Sequence, residues 1–474
     1  MSTRIYNPSI LTRAISPVII QTTPGDAPAV ARDFHQYELS HIAPFNDKIG
    51  KYVGRMVAPR TFSILDAFGS GFTTPFTSFA VIQRFNYIVG AWSGPDIETM
   101  AQDSRIMRIW EDRMNCRILG FEQPSMPYSP ASENYTYSVT SGRNNQRMYF
   151  TSMEEVRRLI GADIANQKGY AGQGINAVVT DTGGQRRNPQ LLHMTKQTVI
   201  PGFIADENNH GTWTASALGG TRAVDHTFTL MNRNKAVVIN EGVAPGVNLT
   251  EIKCLGFLVG TGTNSMLLKS LDMAISDKAQ VVNVSWGGPP TAKTPQDDPF
   301  YVPMETLKDM DAIVCAASGD SGQGLVDSPG ALPNVLTVGG INAVSNAQSM
   351  FGSAGEVSGF SGGGEIYGEV KPDTAGYAAI IDSAIGPVLD ASYTHVVHNY
   401  GAIAGTSMSA PIVAGLMAIM YQIYRQELNR NLTLDEVKTM LSKLGHEKST
   451  YDGWGMVTFP MIQQWLSTEY DIEM

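Results

Sequence analysis

Short apolar runs alternate with amphipathic stretches over most of the chain from about residue 150 onward. The runs "INAVVTDTGG", "NLTEIKCLG", "AQVVNVSWGG", "DAIVCAASGDSG" and "NVLTVGGIN" are continuous, rich in β-branched residues, and end in glycine or small polar residues. Continuous runs of this kind are typical of strands that are buried on both faces. Stretches with helical periodicity, such as "SMLLKSLDMAISDKA", separate them. The alternation predicts an α/β fold with a doubly wound parallel sheet, helices on both faces, and ligands at the carboxyl ends of the strands.

The first 118 residues follow a different order of elements. "SPVIIQTT" predicts a strand, "DAPAVARDFHQYELSHIA" a helix, "FTSFAVIQRF" and "YIVGAWSG" paired strands, "PDIETMAQD" a helix and "RIMRIWED" a last strand. This β-α-β-β-α-β order is that of the split, ferredoxin-like α+β unit. We therefore predict a domain over residues 1–118 with an insertion near 43–72, a connector over 119–150, and a main domain over 151–474.

Composition narrows the class of protein. A chain of 474 residues is long for one core, and with 43% apolar and only 16% charged residues it is not expected to be disordered. The net charge is −10 and no basic cluster is present, which argues against nucleic acid as a partner. The cysteines are few, far apart and without metal-type spacing, which favours a reduced compartment over a disulfide framework: Cys116, Cys254 and Cys315.

The chain carries no sequence signal for a membrane or for export. Its first residues lack the continuous apolar core of a signal peptide, and no apolar run reaches the roughly 18 residues that span a bilayer. We therefore expect no membrane-spanning segment and an intracellular location, either in the cytoplasm or within a particle such as a virion.

Three residues have side chains of the types that form a nucleophilic catalytic site. Ser407 stands just before the apolar half of "YGAIAGTSMSAPIVAGLMAIM", Asp181 ends the buried run of "INAVVTDTGG", and His210 opens "HGTWTASALGG". Each also has an ordinary reading, as a helix N-cap, a turn former and a structural histidine. A serine becomes a nucleophile only when a base takes its proton and a third group orients that base. The occurrence of all three types after separate predicted elements favours a catalytic set.

These segments resemble the subtilisin-like serine proteases, whose catalytic residues follow the chain order Asp, His, Ser. The similar segments extend from about residue 150 to 465 and include "GYAGQGINAVVTDTGG", "HGTWTASALGG", "EGVAPGVNLTEIKCLG", "VVNVSWGG", "AGTSMSAPIVAG" and "GWGMVTFPMI". The resemblance implies that Ser407 is the nucleophile, His210 the general base and later acid, and Asp181 the orienting carboxylate. It implies a serine endopeptidase that cuts proteins through an acyl-enzyme intermediate on Ser407.

The N-terminal region resembles the propeptide domain of the same family in its order of elements and its place in the chain. This resemblance implies a zymogen in which residues 1–118 act as a folding chaperone and inhibitor. The alternative is an accessory domain that only supports the main one.

The resemblance also assigns substrate contacts. One group supplies an edge to which an extended peptide adds as a strand: Ser285, Trp286, Gly287 and Gly288. A second group lines a wall of the pocket for the residue before the cut: Ala316, Ala317, Ser318 and Gly319. The glycine triplet of "FSGGGEIYGEV" either lets the backbone approach closely near the site or belongs to a plain flexible loop.

One position departs from the pattern of the family. Where the family has an asparagine as the side-chain donor of the oxyanion hole, this chain has Asp320 in "AASGDSG". An aspartic acid at this place is similar to the sedolisins, which are acid-active relatives, but sedolisins replace the histidine base with glutamate and this chain keeps His210. We expect an oxyanion hole formed by Asp320 and Ser407.

No cofactor is expected to be required. The family often binds structural calcium in its loops, but no acidic cluster with ligand spacing supports a site in this sequence. The expected partners are protein or peptide substrates and the chain's own N-terminal domain, with no nucleic acid and no membrane. The alternative function is a catalytically silent subtilisin-like scaffold that binds peptide or builds an assembly; Asp320 favours it and the complete triad argues against it.

Overall fold

The computed structural model describes residues 5–6, 8–12, 16–31, 33, 80–114, 116–119, 121–122, 136–140, 147–185, 187–200, 204–225, 237–239, 241–256, 260–343, 352–379, 381–389 and 396–474. The predicted insertion at 43–72 and much of the predicted connector lie outside these residues. The chain divides into two compact units, Met1–Met114 with Thr263–Ser265, and Asn115–Gly262 with Met266–Met474.

The N-terminal unit is built on a four-stranded antiparallel sheet. Its strands are β1 (Ser16–Thr22), β2 (Ala80–Ile82), β3 (Tyr87–Trp92) and β4 (Ile106–Glu111), in the order β2-β3-β1-β4. Residues 27–31 are helical, and helix α1 (Gly94–Met100) begins after Ser93, whose hydroxyl caps the helix by accepting from the Asp96 N–H. The elements thus follow the β-α-β-β-α-β order expected from the sequence. The role of this unit as a propeptide stays a prediction.

The second unit contains most of the helices and strands. Its strands are β5 (Cys116–Ile118), β6 (Phe121–Glu122), β7 (Thr136–Thr140), β8 (Arg147–Ser152), β9 (Asn176–Asp181), β10 (Thr195–Thr198), β11 (Ala223–Asp225), β12 (Val237–Ile239), β13 (Asn248–Lys253), β14 (Thr261–Gly262), β15 (Val281–Val284), β16 (Trp286–Gly287), β17 (Ile313–Ala317), β18 (Leu336–Asn342), β19 (Gly364–Ile366), β20 (Glu369–Lys371), β21 (Thr374–Ala379), β22 (Ile381–Leu389) and β23 (Val396–Ala404).

The helices after the first unit are α2 (Met153–Ile160), α3 (Ala162–Gln167), α4 (His210–Gly219), α5 (Asn264–Ser276), α6 (Tyr301–Asp309), α7 (Thr406–Glu427), α8 (Leu434–Leu444) and α9 (Phe459–Tyr470). Helix α8 begins with a capping box, in which Thr433 and Glu436 satisfy each other's backbone N–H groups. Such caps explain why these helices begin where polar residues precede an apolar stretch.

A seven-stranded sheet forms the core of the second unit, in the order β10-β13-β9-β15-β17-β18-β21, and all of its pairings are parallel. Strands β15, β17 and β18 are buried along their whole length, as expected for continuous β-branched runs between two layers. The predicted α/β fold with a parallel sheet flanked by helices is therefore confirmed.

Strand β9 lies at the point where the order in which strands are added to the sheet changes direction. From β9 the chain passes to β13 on one side, and then to β15 on the other side of β9. Ligands of doubly wound sheets bind at the carboxyl ends of strands at such a switch point. Asp181 is the last residue of β9 and is therefore placed at this edge.

Helix α7 is the central helix of the second unit and is buried from Thr406 to Tyr424. Among the described residues it alone is long and apolar enough to cross a membrane, and the apolar window that passes this test is entirely buried. Burial on all sides explains its nearly uninterrupted apolar sequence, since such a helix faces protein rather than water.

Candidate active site

Asp181 and His210 form a buried pair at the carboxyl end of β9. The His210 ring nitrogen Nδ1 lies 2.8 Å from Asp181 Oδ1 and 3.0 Å from Oδ2, and both side chains are completely buried. His210 opens α4, whose second residue is Gly211. A Cβ on Gly211 would collide with the Gly183 carbonyl oxygen and lie 3.1 Å from the Asp181 Cβ, so the glycine lets the start of α4 pack against the end of β9.

Two further groups orient the Asp181 carboxylate. The Thr182 N–H donates to its Oδ1 at 2.7 Å, and the Thr214 hydroxyl donates to its Oδ2 at 3.2 Å. Thr214 follows His210 by four positions on α4, so it lies on the same helix face. This spacing was the signal in the sequence that could have identified Thr214 as a positioning residue.

The His210 ring is held in one orientation with one nitrogen unused. Burial is the largest single effect and lowers the pKa of His210, but the charge and hydrogen bond of Asp181, together with the charges of Asp206 and Asp320, outweigh it, and the resulting pKa is above the ordinary value. Because Nδ1 faces a carboxylate, it carries the proton in the neutral ring. Nε2 is buried and has no hydrogen-bond partner in the described part of the chain, so its lone pair is available to accept a proton.

Ser407 is the second residue of α7 and does not cap it. The N-cap position is Gly405, and no side chain of its own caps the helix there. The Ser407 hydroxyl donates to the Ser285 carbonyl oxygen at 2.7 Å. It does not bond with His210 Nε2, which has no partner among the described residues; bonds of this kind often form only when substrate is bound.

Proline at 411 explains a second bond between the same two serines. Pro411 has no N–H, so it cannot donate to the carbonyl of Ser407, four residues earlier in α7. The Ser285 hydroxyl donates to this carbonyl instead, at 3.0 Å. The Ser285 hydroxyl itself accepts from the Asn283 side-chain amide at 2.9 Å, so its orientation is fixed.

A segment of the chain itself occupies the edge predicted to bind substrate. Strand β5 lies between β14 and β16 and pairs antiparallel with both, with Trp286 opposite Ile118 and Gly287 opposite Arg117. Beyond it, β6 pairs antiparallel with β23, the strand that leads into α7. The chain therefore runs extended past the start of α7, as an extended peptide substrate would.

Leu119 brings a backbone carbonyl to Ser407. The Leu119 N–H donates to the Ser285 carbonyl at 3.2 Å, and the Ser407 N–H donates to the Leu119 carbonyl oxygen at 2.8 Å. The Leu119 side chain is buried. A carbonyl oxygen held by a backbone N–H at a helix start is polarised in the way that an oxyanion hole requires. The sequence offered no local signal for Leu119, although it lies where the predicted connector begins.

The two predicted substrate-binding groups are neighbours because they continue adjacent parallel strands. Val284 of β15 pairs with Ala316 of β17, so the segments Ser285–Gly288 and Ala317–Gly319 leave the sheet side by side. Of the glycine triplet, Gly362 donates from its N–H to the Gly319 carbonyl at 2.7 Å, and a Cβ on Gly362 would lie 2.6 Å from the Ser318 carbonyl oxygen. The close-approach reading of the triplet therefore holds at Gly362.

The Asp320 side chain forms hydrogen bonds with the first residue of α7. Its Oδ1 accepts from both the N–H and the hydroxyl of Thr406, each at 2.8 Å, while its Oδ2 is buried without a partner in the described structure. Burial raises the pKa of Asp320 to about 6, against the opposing effect of the Thr406 hydrogen bonds and of His210. At mildly acidic pH its free oxygen therefore carries a proton for part of the time.

The described residues contain no group of three His, Cys, Asp or Glu side chains that could hold a metal ion. The three cysteines are buried.

The subtilase family model, Peptidase S8, matches residues 193–455. This match spans more than half of the chain and includes His210 and Ser407. The chain therefore belongs to the subtilase family of serine proteases.

Sequence comparison with characterised proteins agrees with this family. The chain is 26% identical to Subtilisin DY of Bacillus licheniformis over 307 residues, covering 63% of this chain and 94% of the relative. It is 27% identical to Subtilisin Savinase of Lederbergia lenta over 265 residues, covering 56% and 82%. It is 28% identical to the serine protease AprX of Bacillus subtilis over 305 residues, covering 60% and 64%. The predicted class, a subtilisin-like serine protease, is confirmed.

Proposed function

We propose that the protein is a serine endopeptidase that hydrolyses peptide bonds of proteins through an acyl-enzyme intermediate on Ser407. The observation that carries the proposal is that the Ser407 N–H donates to a peptide carbonyl oxygen, that of Leu119; the pair of Asp181 and His210 at the end of β9 supports it. Family membership supports the same class of reaction.

Each step of the proposed reaction is assigned to a side chain or backbone group of this chain. His210 Nε2 takes the proton of the Ser407 hydroxyl as its oxygen attacks the carbonyl carbon, and the Asp181 carboxylate stabilises the imidazolium that forms. The Ser407 N–H stabilises the negative oxygen of the tetrahedral intermediate. His210 then gives its proton to the leaving amine, which leaves an ester on Ser407. Water repeats the sequence in the opposite sense and releases the acid, so the chemistry requires no cofactor.

Ser285 supports the movement that this reaction needs. The Ser407 hydroxyl must leave the Ser285 carbonyl to reach His210, whereas the bond from the Ser285 hydroxyl to the Ser407 carbonyl involves only the backbone of residue 407. The backbone can therefore stay fixed while the nucleophile turns about its side-chain torsion.

Asp320 is proposed to complete the oxyanion hole when it is protonated. Its Oδ1 is committed to Thr406, so only the unpartnered Oδ2 can carry a hydrogen for the negative oxygen. When ionised, Asp320 has no hydrogen to donate and would repel that oxygen. The proposal therefore couples activity to the protonation of one carboxyl group.

The N-terminal domain is proposed to inhibit the enzyme until the chain cuts itself. The segment Cys116–Leu119 has the contacts of a bound substrate, and the bond that follows the Leu119 carbonyl is the first one within reach of Ser407. After that cut, residues 1–119 form a separate fragment that can rebind at the same edge. Adding this fragment back to processed enzyme is expected to lower turnover of a protein substrate.

A fluorophosphonate probe, which reacts with activated serines, tests the proposal. Labelling is expected on Ser407 as the chain is processed, and it is expected to disappear in Ser407→Ala. Ser409→Ala serves as the matched control because Ser409 lies two residues further along α7 and bonds only within the helix, to the Thr406 carbonyl. Absence of both labelling and cleavage of casein in the wild type would favour the silent scaffold instead.

A further inference from the structure

A buried carboxylate lies beside the pocket that holds the Leu119 side chain. Asp327 donates from its N–H to the Ser318 carbonyl at 2.9 Å. The next residue, Ser328, exchanges two backbone hydrogen bonds with Gly288, at 2.9 and 3.1 Å. Asp327 is therefore fixed between the two segments that line the substrate edge, Ser285–Gly288 and Ala317–Gly319.

The Asp327 side chain and the Leu119 side chain meet at one glycine. A Cβ on Gly287 would lie 3.1 Å from the Asp327 Cβ and also 3.1 Å from the Leu119 Cδ1. On the other wall, a Cβ on Gly319 would lie 2.8 Å from Asp327 Oδ2. A side chain at either glycine would therefore collide with or press on Asp327, and the absence of one lets Asp327 approach both segments, with Leu119 beside it at Gly287.

The carboxylate has no hydrogen-bonding partner for one of its oxygens. Asp327 is only 4% exposed, and its Oδ1 is buried without a hydrogen bond among the described residues. Burial raises the pKa of Asp327 to about 6, and Arg117 of β5 is the one charge that lowers it. Arg117 makes no ion pair with Asp327 in the described structure, and the neighbouring Asp320 is repelled by the same carboxylate.

A buried charge without a partner is costly, and such groups occur where a ligand supplies the missing partner. Leucine at 119 places only carbon against Asp327. A lysine at the same position would extend a Cε and an Nζ beyond the δ carbon, and an arginine would extend a guanidinium. Either group can donate a charge-assisted hydrogen bond to a carboxylate.

We propose that this pocket binds a lysine or arginine side chain of the substrate, at the residue immediately before the cleaved bond, with Asp327 as its partner. The inference rests on the proposed endopeptidase function and adds the substrate class. Asp327 is then the residue that determines specificity. Leu119 fills the pocket but gives the Asp327 carboxylate no hydrogen bond.

The first test needs no catalysis and uses the full chain with Ser407→Ala, so that the segment stays uncut. Leu119→Lys and Leu119→Met, which are similar in length, are each made with Asp327 and with Asp327→Asn, and thermal unfolding is measured at pH 8. With Asp327, the chain carrying lysine is expected to melt at a higher temperature than the one carrying methionine. With Asp327→Asn, the order is expected to reverse because the ammonium is then buried without a counter-charge.

The second test measures kcat/KM of the processed enzyme on peptides that differ only in the residue before the cut: lysine, arginine, methionine or leucine. The wild type is expected to prefer lysine or arginine over methionine by about 10- to 100-fold, the range of one hydrogen bond to a charged group. Asp327→Asn is expected to remove most of that preference, so that the ratio of kcat/KM for lysine to kcat/KM for methionine falls toward 1. The comparison of the peptides with the wild-type enzyme tests the preference even if Asp327→Asn folds poorly.

The two tests separate this inference from the proposed function. Cleavage without a basic preference, or lysine melting below methionine with Asp327 present, overturns the inference and leaves the endopeptidase in place. A positive thermal comparison with no cleavage of any peptide supports the pocket and overturns the proposed function. An equal loss of basic and apolar cleavage in Asp327→Asn shows a structural role and also overturns the inference.

Discussion

Ser285 and Ser407 exchange two hydrogen bonds: each hydroxyl donates to the carbonyl oxygen of the other residue, at 3.0 and 2.7 Å. The two residues belong to different elements, the segment after β15 and the start of α7. Because Pro411 removes the donor that would normally satisfy the Ser407 carbonyl, this bond replaces part of the helix ladder. The backbone of Ser407, the proposed nucleophile, is therefore positioned by the same segment that is predicted to form the substrate edge.

Ser285→Ala is expected to lower the free energy of unfolding by about 1–3 kcal/mol, because it leaves the buried Ser407 carbonyl and the Asn283 amide without a partner. Urea unfolding at pH 7 measures this loss. Ser409→Ala is the control, since its hydroxyl bonds to a carbonyl of its own helix. An equal or larger loss for Ser409→Ala would contradict a special role for Ser285.

Replacement of any one member of the proposed triad by alanine is expected to reduce turnover by about 10⁴- to 10⁶-fold, figures that come from subtilisin itself. The losses for Ser407, His210 and Asp181 are expected to be non-additive because the three act as a unit. Peptide hydrolysis at equal protein concentration measures the effect, with far-UV circular dichroism to verify folding. Unchanged hydrolysis in Ser407→Ala would exclude the proposed nucleophile.

Asp320→Asn is expected to raise activity at neutral pH and to move the optimum upward. His210 must be neutral to act as a base, and its pKa lies above the ordinary value, so the base is active at higher pH. Asp320 must be protonated to donate a hydrogen bond. Because its pKa is about 6, it loses that proton as the pH rises into the range where His210 becomes neutral. The wild type is therefore confined to a narrow window, whereas an amide donates at any pH.

The pH–rate profiles of wild type and Asp320→Asn on one peptide measure this difference. Loss of one oxyanion donor costs about 10²- to 10³-fold in turnover, again a figure from subtilisin. A gain of at least about 10-fold at pH 8 is thus expected. Slower turnover of Asp320→Asn at pH 8 would mean that residue 320 acts through Thr406 alone.

Purified full-length protein is expected to cut itself once, after Leu119, and intact-mass measurement should find residues 1–119 and 120–474. The reason is that the Leu119 carbonyl is the one held by the Ser407 N–H. Ser407→Ala should stay a single chain under the same conditions. A first cut at another bond would show that the segment Cys116–Leu119 does not lie in the productive register.

Asp373→Asn is expected to lower the free energy of unfolding by about 3–5 kcal/mol, because it leaves the buried Lys371 and two partly buried lysines with only the more exposed Glu369 nearby as a counter-charge. The Asp373 carboxylate accepts from Lys371 at 2.9 Å and from Lys448 at 2.7 Å, and Lys438 lies 3.5 Å away. Glu469→Gln is the control, since it breaks an exposed ion pair with Lys443 that is worth at most about 1 kcal/mol.

The contribution of Asp373 also depends on pH. Burial raises the pKa of Asp373, but the three lysines outweigh burial and hold it below the ordinary range. A depressed carboxyl pKa stabilises the fold above the pKa of the unfolded chain, about 4, and this stability is lost as the pH falls toward the folded value. The deficit of Asp373→Asn should therefore be constant from pH 7 to about 5 and shrink below pH 4.

The sequence motifs identified the proposed catalytic residues because each of them lies next to a strongly patterned element. Asp181 ends a continuous β-branched strand, and Ser407 precedes a long apolar helix, so the elements and the side chains could be predicted together. Thr214 was detectable only through its spacing from His210. These relationships are local, because each involves only a few neighbouring residues of the sequence.

Leu119 and Asp327 could not be predicted in the same way. Leu119 follows a strand of three residues whose partners are β14 and β16, far away in the chain, so local propensity does not define it. Asp327 stands in "LVDSPG", which is an ordinary turn sequence, and only its pairing with Ser318 places the carboxylate beside the pocket. Contacts between distant segments determine both positions.

The occupied substrate edge has a kinetic consequence. A segment tethered to its own catalytic centre has an effective concentration on the order of millimolar, whatever the concentration of the protein. A dissolved substrate at micromolar concentration cannot displace it. The first cut should therefore follow first-order kinetics that dilution leaves unchanged, and the mean delay before foreign proteins are attacked would be the same at every protein concentration.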